Sequence, residues 1–431
     1  MTKSVPTGKL VRTGIAGTAF LKAGGKHLTH AAKSPFLSES AQRDQRERLD
    51  DDTARILFKA FSQLRGTALK VAQMLSMESN LMPEWFRKEM MKSYHQVPPL
   101  GRPLIRKLIQ QEFGAAPENV FSHFDANAFA AASLGQVHSA SVKPGETLAV
   151  KLQYPGIDIT IDSDLQLLRS LIGRTRHAKL LLSSLDEIEQ RLHEEVDYQH
   201  EADNTEWFKT HLQLSNVSIP DVHRTLSSKR ILTTTRLHGL HLEDWLRQKP
   251  SQTSRDHFGQ LLYDVFVNSF YGLHALHADP NPGNYLFSED GVLGLVDFGC
   301  VRYYTAEFVT LMPVLLRAYM DRDAQAVIST YRRLGMVADL SEPELLQFYE
   351  KALRPFGDWL TKPFEAGTFD FACRRSPYTE EGWASFKQLA NVNKINDLAN
   401  EFIYFDRTFF GLYQIFERMG ARVNMEHPWL L

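Results

Sequence analysis

The stretch His277-Ala278-Asp279-Pro280-Asn281-Pro282-Gly283-Asn284, followed by Leu295-Val296-Asp297-Phe298-Gly299, decides the fold of this chain. It places an acid, then an amide, and then a second acid after a predicted turn and strand. Carboxylate and amide oxygens are the ligands that suit Mg²⁺, while a further carboxylate can orient an attacking hydroxyl. Asp279 is therefore the candidate base, and Asn284 and Asp297 are the candidate metal ligands.

The residues between these side chains predict a hairpin. Strands at Tyr285 to Phe287 and Val292 to Leu295 turn back at Glu289-Asp290-Gly291, which brings Asn284 and Asp297 together. Protein kinases space their base and metal ligands in this way. The alternative is a turn followed by an Asp-Phe-Gly without function, and the paired spacing disfavours it.

Bulk composition indicates a globular protein. With 431 residues and 43% hydrophobic content, the chain has room for two to three domains with real cores. A formal net charge of -2 argues against nucleic acid as the main partner. The two cysteines, Cys300 and Cys373, indicate neither a zinc site nor a disulfide framework, so a reducing compartment is expected.

The first 38 residues are basic, and apolar residues are interleaved with the lysines. A membrane-surface segment and a disordered basic tail both fit this pattern, because the glycines weaken any helix. The chain has no run of about 18 apolar residues, so no bilayer span is expected and any membrane contact is expected to be peripheral. The amino-terminal residues show no compact apolar core with a small-residue cleavage site, which argues against secretion.

Ser38 to Ser79 predicts an amphipathic helix, because it contains no proline and its apolar residues recur at steps of three and four. Lys70 and Gln73 lie opposite the apolar stripe, close to Gly66. Periodicity alone favours a solvated polar face for both side chains.

Two strands of a small antiparallel sheet are predicted next, Phe129 to His138 and Leu148 to Gln153. Lys151 lies in the second strand, where an amino group is costly unless a phosphate or a carboxylate meets it. The loop of Ala130, Ala131, Ala132 and Ser133 stands where a kinase folds glycines over the phosphates, although an edge strand rich in small residues would look similar.

A long helix is predicted from about Leu185 past Phe208. Asp197 and Glu201 would then lie one turn apart on the same face. Such a like-charge pair is destabilising unless a cation lies beside it. We assign Glu201 to pair with Lys151, as the long helix of a kinase small lobe does. The alternative is a solvated acidic helix.

The remaining elements follow kinase order. Arg230 to Leu237 predicts a strand that leads to the hinge, and helices are expected at Leu242 to Arg247 and Asp256 to Leu273. Beyond Gly299 the chain is expected to be mostly helical, with prolines 313, 343, 355, 363 and 377 as punctuation. No Ala-Pro-Glu follows Asp297, so a peptide-docking platform of the usual kind is not expected.

Taken together, these motifs resemble the UbiB/ADCK (AarF-type) family of atypical protein-kinase-like proteins, which is tied to coenzyme Q biosynthesis. The family's KxGQ helix is matched at Lys70 to Gln73, its alanine-rich loop at Ala130 to Ser133, and its strand lysine at Lys151. Its ExD motif matches Glu195 and Asp197, and its helix glutamate matches Glu201. The catalytic loop and the metal acid match His277 to Asn284 and Asp297.

The resemblance implies an α+β, two-lobed protein-kinase-like fold that binds ATP and Mg²⁺. It implies a basic segment at 1-38, a KxGQ-type helical extension at 39-125, an N-lobe at 126-238 and a C-lobe at 239-431. In this family the KxGQ helix covers the nucleotide cleft beside the ExD acids and blocks protein substrates. Ala72 stands where the family has glycine, and Asn281 replaces a histidine of the family loop.

The function implied is an atypical kinase or ATPase that supports ubiquinone or related isoprenoid-lipid metabolism, in which protein kinase activity is not expected. Implied partners are a prenylphenol or quinone-precursor lipid and other ubiquinone-biosynthesis proteins. The implied location is cytoplasmic or peripheral at the inner membrane, and the matrix side in a eukaryote. Two alternatives stay open: a pseudokinase-like lipid-binding module switched by nucleotide, and a small-molecule kinase.

Overall fold

The structure is a computed structural model that describes residues 18, 100–132, 134–157, 161–163, 165–166, 169, 178–337, 341–372, 378–390 and 400–430. The chain divides into two compact units, Met1–His200 with His223–Thr235 and Glu201–Val222 with Arg236–Leu431. Lys70, Gln73 and Ser133 lie outside the described residues, as does the predicted amino-terminal helix. The three predicted boundaries between the four segments therefore stay a prediction.

The described residues form short strands, of which the first three in chain order are the longest. They are β1 (His123–Ala132), β2 (Gly135–Ser141), β3 (Leu148–Gln153), β4 (Val217–Ser218), β5 (Ile231–Thr235), β6 (Ala275–His277), β7 (Tyr285–Phe287), β8 (Leu293–Leu295), β9 (Val301–Tyr303), β10 (Thr368–Asp370) and β11 (Arg422–Asn424).

The helices contribute most of the second unit, so the fold is of the α+β class predicted from the sequence. They are α1 (Arg102–Phe113), α2 (Pro117–Val120), α3 (Ala178–Glu195), α4 (Tyr198–His211), α5 (Leu242–Arg247), α6 (Gln252–Val267), α7 (Ala306–Met320), α8 (Ala324–Arg333), α9 (Glu342–Phe348), α10 (Arg354–Glu365), α11 (Tyr378–Ala390) and α12 (Asn400–Met419). Among the described helices, none is long and apolar enough to cross a bilayer.

The first unit contains an antiparallel sheet of order β1-β2-β3-β5. Side chains alternate along β3, and Leu148, Val150 and Leu152 are fully buried against the apolar residues of α1. Helix α1 ends at Gly114, whose φ of 72° is the left-handed conformation that glycine adopts without strain. The predicted strand at Leu148 to Gln153 is confirmed to the residue.

The alanine-rich segment differs from its prediction. Ala130, Ala131 and Ala132 are not a loop but the end of β1, where they pair with Val137, Gln136 and Gly135 of β2. The single strand predicted at Phe129 to His138 is therefore two strands that turn back on each other. Small side chains favour neither a loop nor a strand strongly, so composition could not separate the two.

The predicted long helix is also two helices, because α3 ends at Glu195 and α4 begins at Tyr198. The Asp197 carboxylate accepts hydrogen bonds from the backbone N–H groups of Gln199 at 3.1 Å and His200 at 3.4 Å. Asp197 thus caps the amino terminus of α4, where a negative charge is stabilising. The predicted placement of Asp197 and Glu201 on one face of one helix was wrong.

The second unit packs its helices around an aromatic core that includes Phe258, Phe270, Phe298 and Phe416. It also holds three small sheets, of order β4-β8-β7, β6-β9 and β10-β11. The predicted hairpin is confirmed, since Tyr285 pairs with Leu295 and Phe287 with Leu293. Gly291 lies in its turn with a φ of 82°.

Three prolines do not punctuate the helical part as predicted. Pro313 lies inside α7, Pro363 lies inside α10, and Pro355 follows directly on a π-helical turn, Tyr349–Leu353, that joins α9 to α10. Pro343 stands in the first turn of α9, and Pro377 lies outside the described residues. A proline in the first turn loses no hydrogen bond, because that N–H would have no partner within the helix.

Replacing Gly135 by alanine should destabilise the first unit. An added Cβ would lie 2.2 Å from the Leu152 carbonyl oxygen, which is fixed in the sheet and cannot move away cheaply. We expect a loss of about 1 to 3 kcal/mol in the free energy of unfolding, measured by urea denaturation. Gly101→Ala is the matched control, because its Cβ would approach no atom of the described residues closer than 3.8 Å. Equal stability of the two variants would contradict this.

Candidate functional site

Lys151 lies in the middle of the first sheet, on the face opposite the apolar core. It pairs with Val137 on one side and Leu232 on the other, and it is half-buried. Its amino group lies 5.0 Å from the centroid of the Tyr198 ring, within the range of a cation–π interaction. The strand thus holds a cation at a fixed place on a partly desolvated surface.

The segment between α3 and α4 covers this face of the sheet. The buried side chain of Gln153, two residues beyond Lys151, donates a hydrogen bond to the Val196 carbonyl at 2.8 Å. Glu195 and Asp197 flank Val196, so the ExD pair lies on the segment that packs over the Lys151 face. Asp197, one member of the Asp197/Glu201 pair that was predicted to need a cation, is therefore on the segment next to Lys151, whereas Glu201 belongs to the second unit.

In the second unit, the paired strands β6 and β9 lie directly before and after the part of the chain that carries the candidate site residues. Strand β6 delivers the chain into His277, and it pairs antiparallel with β9, so that His277 opposes Val301. The Ala278 N–H donates to the Cys300 carbonyl at 2.8 Å. His277 Nε2 forms a short hydrogen bond with the backbone carbonyl of Asp297. The loop that begins at His277 is therefore held against the segment that carries Asp297.

Asp279 and Asn284 interact directly. Asn284 is buried, and its Nδ2 donates to Asp279 Oδ2 at 2.9 Å and to the Asp279 carbonyl at 3.1 Å. Both donors of the amide point towards Asp279, which leaves Oδ1 as the atom suited to a cation. Asn281 supports this turn, since its side chain accepts a hydrogen bond from Gly283 N–H at 2.9 Å. Asparagine in place of the family histidine thus stabilises the loop locally.

Asp297 and Glu201 border one small space next to Gly299. A Cβ added at Gly299 would lie 3.2 Å from Asp297 Oδ1 and 3.7 Å from Glu201 Oε2. Glu201 is only 2% exposed, and Asp297 Oδ1 accepts a hydrogen bond from Gly299 N–H at 3.0 Å. A buried carboxylate next to a half-buried one favours a cation beside them, because each disfavours the charge of the other.

One face of α4 contacts the segment that carries Asp297. Asn204, one turn after Glu201, donates through Nδ2 to the Phe298 carbonyl at 3.0 Å, and Phe208 packs on Phe298 with ring centroids 5.2 Å apart. The structure therefore brings Asp279, Asn284, Asp297 and Glu201 together within the second unit. The predicted pairing of Lys151 with Glu201 joins a residue from each unit and stays a prediction.

The donor set fits the ion that the sequence implied. Asn284 Oδ1 and the Asp297 carboxylate offer oxygen atoms of the kind that Mg²⁺ prefers, on a loop and a turn that backbone hydrogen bonds fix. A second cluster of Asp162, Glu189 and His193 in the first unit is exposed or half-exposed, and Arg169 already pairs with Glu189 at 2.5 Å. That cluster therefore lacks the character of a buried metal site.

Sequence reasoning missed Arg407, which lies on α12 and whose Nη2 is 3.2 Å from Asp279 Oδ1. It also missed Gly411, where a Cβ would meet Pro280 at 2.2 Å. Neither residue belongs to a sequence motif, and neither lies at a distance in sequence from Asp279 that is typical of a known motif. Charge alone could not single out one arginine among the basic residues of the chain.

A cavity in the second unit is lined almost entirely by apolar and aromatic side chains. Asp406 is the only carboxylate among its lining residues, which are Tyr263, Phe266, Val267, Tyr271, Met312, Leu315, Leu316, Tyr331, Phe356, Leu360, Phe364, Phe402, Phe405, Asp406 and Phe409. Although Asp406 is half-buried as a residue, desolvation raises the pKa of its carboxyl from 3.8 to about 7.

Comparisons with known proteins show similarity along most of the chain. The profile of the ABC1 atypical kinase-like domain matches residues 92–331. The chain is 26% identical to "Atypical kinase COQ8, mitochondrial" of Saccharomyces cerevisiae, with 98% of this chain and 84% of that protein covered. It is 27% identical to "Atypical kinase coq-8, mitochondrial" of Caenorhabditis elegans, with 81% and 46% covered.

Other relatives show the range of the similarity. An aarF domain-containing protein kinase of Arabidopsis thaliana is 28% identical, with 74% of this chain and 60% of that protein covered. The chain likewise spans 60% of the length of a probable serine/threonine-protein kinase of Dictyostelium discoideum. A solved complex of Rv3197 with erythromycin from Mycobacterium tuberculosis has a TM-score of 0.59 and 23% identity over 88% of this chain and 95% of that one, which shows the fold.

Stability should depend on the charge of Asp406. Because its folded pKa of about 7 lies above the ordinary 3.8, the folded state holds this proton more tightly than the unfolded chain does. The free energy of unfolding should therefore fall as pH rises from about 4 to 7, and the loss should be complete above 7.

The variant Asp406→Asn removes this dependence, because asparagine stays neutral. Between pH 5 and pH 8 the wild type should lose on the order of 2 kcal/mol relative to the variant in urea denaturation. Parallel pH profiles of the two proteins would contradict the assignment.

Proposed function

The chain belongs to the ABC1 atypical kinase-like family, and we propose that it binds Mg-ATP and carries out phosphoryl chemistry with Asp279 as the base. The observation that supports this most strongly is that Asp279, Asn284 and Asp297 lie on the connections directly next to paired strands of the second unit, which hold these connections near one another. The Asn284 amide donates one hydrogen bond to the Asp279 carboxylate and one to the Asp279 backbone carbonyl, so its own oxygen is the atom left for a cation.

Each side chain then has a definite task. Asn284 Oδ1 and the Asp297 carboxylate would hold Mg²⁺, which when bound neutralises charge on the phosphates. Asp279 would accept the proton of the attacking hydroxyl or water, since its carboxylate retains further lone pairs beyond those used by its two partners. Lys151 would meet phosphate oxygens, which offsets the cost of placing an amino group in a strand.

The chemistry is expected to serve a small or lipid acceptor, or slow ATP hydrolysis, rather than a protein substrate. The resemblance implies that the KxGQ segment with Lys70 and Gln73 covers the cleft beside Glu195 and Asp197. The relatives named COQ8 support a role in ubiquinone or related isoprenoid-lipid metabolism. Peripheral contact with a membrane, on the matrix side in a eukaryote, fits the same role.

A second candidate is a nucleotide-switched module that binds a quinone-precursor lipid without turnover. The apolar cavity of the second unit favours it, because the lining residues offer aromatic surface and a carboxyl that is neutral up to about pH 7. In this case nucleotide would change the stability of the protein while no phosphate would be released.

Replacing Asp297 by asparagine tests the proposed function. The variant keeps the shape of the side chain but weakens the metal ligand, so Mg-dependent phosphate release should fall about a hundredfold or more. The measurement is steady-state phosphate release with and without anionic liposomes and a prenylphenol.

Asp321→Asn is the matched control, because Asp321 is exposed at the end of α7 and lies in the same unit. Turnover of this control should equal that of the wild type. Unchanged phosphate release in Asp297→Asn would overturn the proposal.

Thermal unfolding separates the two candidates. Both predict that Mg-ATP raises the melting temperature of the wild type, because a ligand bound only by the folded state stabilises it. Only the first predicts phosphate release as well. Nucleotide stabilisation without turnover in any condition would favour the binding module, and absence of both would contradict both candidates.

A further inference from the structure

We propose that helix α12 is part of the active site and that Arg407 positions the Asp279 carboxylate for proton transfer. This inference rests on the proposed function, because it assumes that Asp279 is the base. It goes beyond the family assignment, since the matching profile ends at residue 331 and α12 spans Asn400–Met419.

The two oxygens of Asp279 are held from different sides. Oδ2 accepts a hydrogen bond from Asn284, five residues away in the same loop, at 2.9 Å. Oδ1 accepts one from Arg407 at 3.2 Å, across a sequence separation of 128 residues. One bond to each oxygen fixes the plane of the carboxylate, and two partners on one group leave it few orientations.

The same helix touches the next residue of the loop. A Cβ at Gly411 would lie 2.2 Å from Pro280 Cγ and 2.8 Å from Pro280 Cβ, so only glycine allows this approach. Arg407 and Gly411 are four residues apart and therefore lie on one helix face. That face contacts the consecutive loop residues Asp279 and Pro280.

A third contact ties α12 to the strand that supports the loop. Tyr404 lies one turn before Arg407, and its hydroxyl accepts a hydrogen bond from Arg302 of β9 at 2.8 Å. The Arg302 guanidinium also stacks over the Tyr404 ring, 4.2 Å from its centroid. Because β9 pairs with β6, this contact links the helix to the strand that leads into Asp279.

An incidental surface ion pair would not have these features. Arg407 and Asp279 keep only 21% and 29% of their side-chain surface, whereas the exposed pair of Arg333 with Glu307 keeps 60% and 64%. Exposed pairs of that kind contribute little, because solvent screens them and their side chains lose entropy. The partly buried pair with a close helix contact on either side is suited to hold a geometry.

The experiment measures kcat and KM for Mg-ATP hydrolysis in the full chain. Arg407→Gln should lower kcat about tenfold or more while KM for ATP stays within about twofold, because orientation of the base affects the chemical step and not nucleotide binding. Arg407→Lys should recover at least about a third of the lost kcat through its retained charge. Arg333→Gln, the matched control, should equal the wild type.

A double-mutant cycle assigns the effect to Asp279. If Arg407 acts through that carboxylate, Arg407→Gln should change the residual kcat of Asp279→Asn by less than about twofold. A fall of kcat by the same factor in both backgrounds would overturn the inference, as would an Arg407→Gln enzyme with wild-type kcat.

Gly411→Ala provides a test that leaves the charge in place. Its Cβ forces either the loop or the helix to move, so kcat should fall about fivefold or more with KM for ATP nearly unchanged.

If Arg407→Gln does not fold, Gly411→Ala and Arg407→Lys decide by the same criteria, and wild-type kcat in both overturns the inference. A wild type without Mg-dependent turnover overturns the proposed function itself, whereas normal wild-type turnover with unaffected variants overturns only this inference.

Discussion

The site depends on the antiparallel pairing of two three-residue strands, Ala275–His277 and Val301–Tyr303. The hydrogen bonds of β6 with β9 place the loop that carries Asp279 beside the segment that carries Asp297. Without them, residues far apart in sequence would have no reason to meet. Closing such a long loop costs conformational entropy, and the aromatic core around Phe298 supplies the burial that offsets it.

Much of this arrangement could be predicted from the sequence, because it is encoded locally. Alternating apolar residues set the strand at Lys151, and the turn residues at Glu289 to Gly291 set the hairpin between Asn284 and Asp297. The break between α3 and α4 was missed, since Asp197 reads equally well as a residue of a helix and as the cap of the next one. Its hydrogen bonds to Gln199 and His200 decide in favour of the cap.

The part that could not be predicted is the contribution of residues distant in sequence. Arg407 reaches Asp279 only because α12 packs its Gly411 face on Pro280, and no periodicity or motif encodes that contact. The spacing within a motif indicates which residues are neighbours in one loop. The second hydrogen-bond partner of the Asp279 carboxylate lies on another element, so tertiary packing determines it. Glu201 is an intermediate case, because its helix could be predicted and its closeness to Gly299 could not.

The second unit thus combines a kinase-like set of side chains with a helix that the family profile does not reach. In physical terms, a carboxylate that must accept a proton needs a fixed orientation, and a helix anchored at Tyr404, Arg407 and Gly411 can supply it. Paired strands set the position of the proposed metal ligands, and α12 sets the orientation of the proposed base.

The central claim is that Asn284 and Asp297 hold a divalent cation. It is tested most directly by crystals grown with Mn²⁺, as a stand-in for Mg²⁺, and a non-hydrolysable ATP analogue, with the ion located by its anomalous scattering. The account predicts a peak within coordination distance, about 2.0 to 2.3 Å, of Asn284 Oδ1 and an Asp297 carboxylate oxygen. A peak only at the Asp162, Glu189 and His193 cluster, or nucleotide bound with no ion at Asp297, would contradict it.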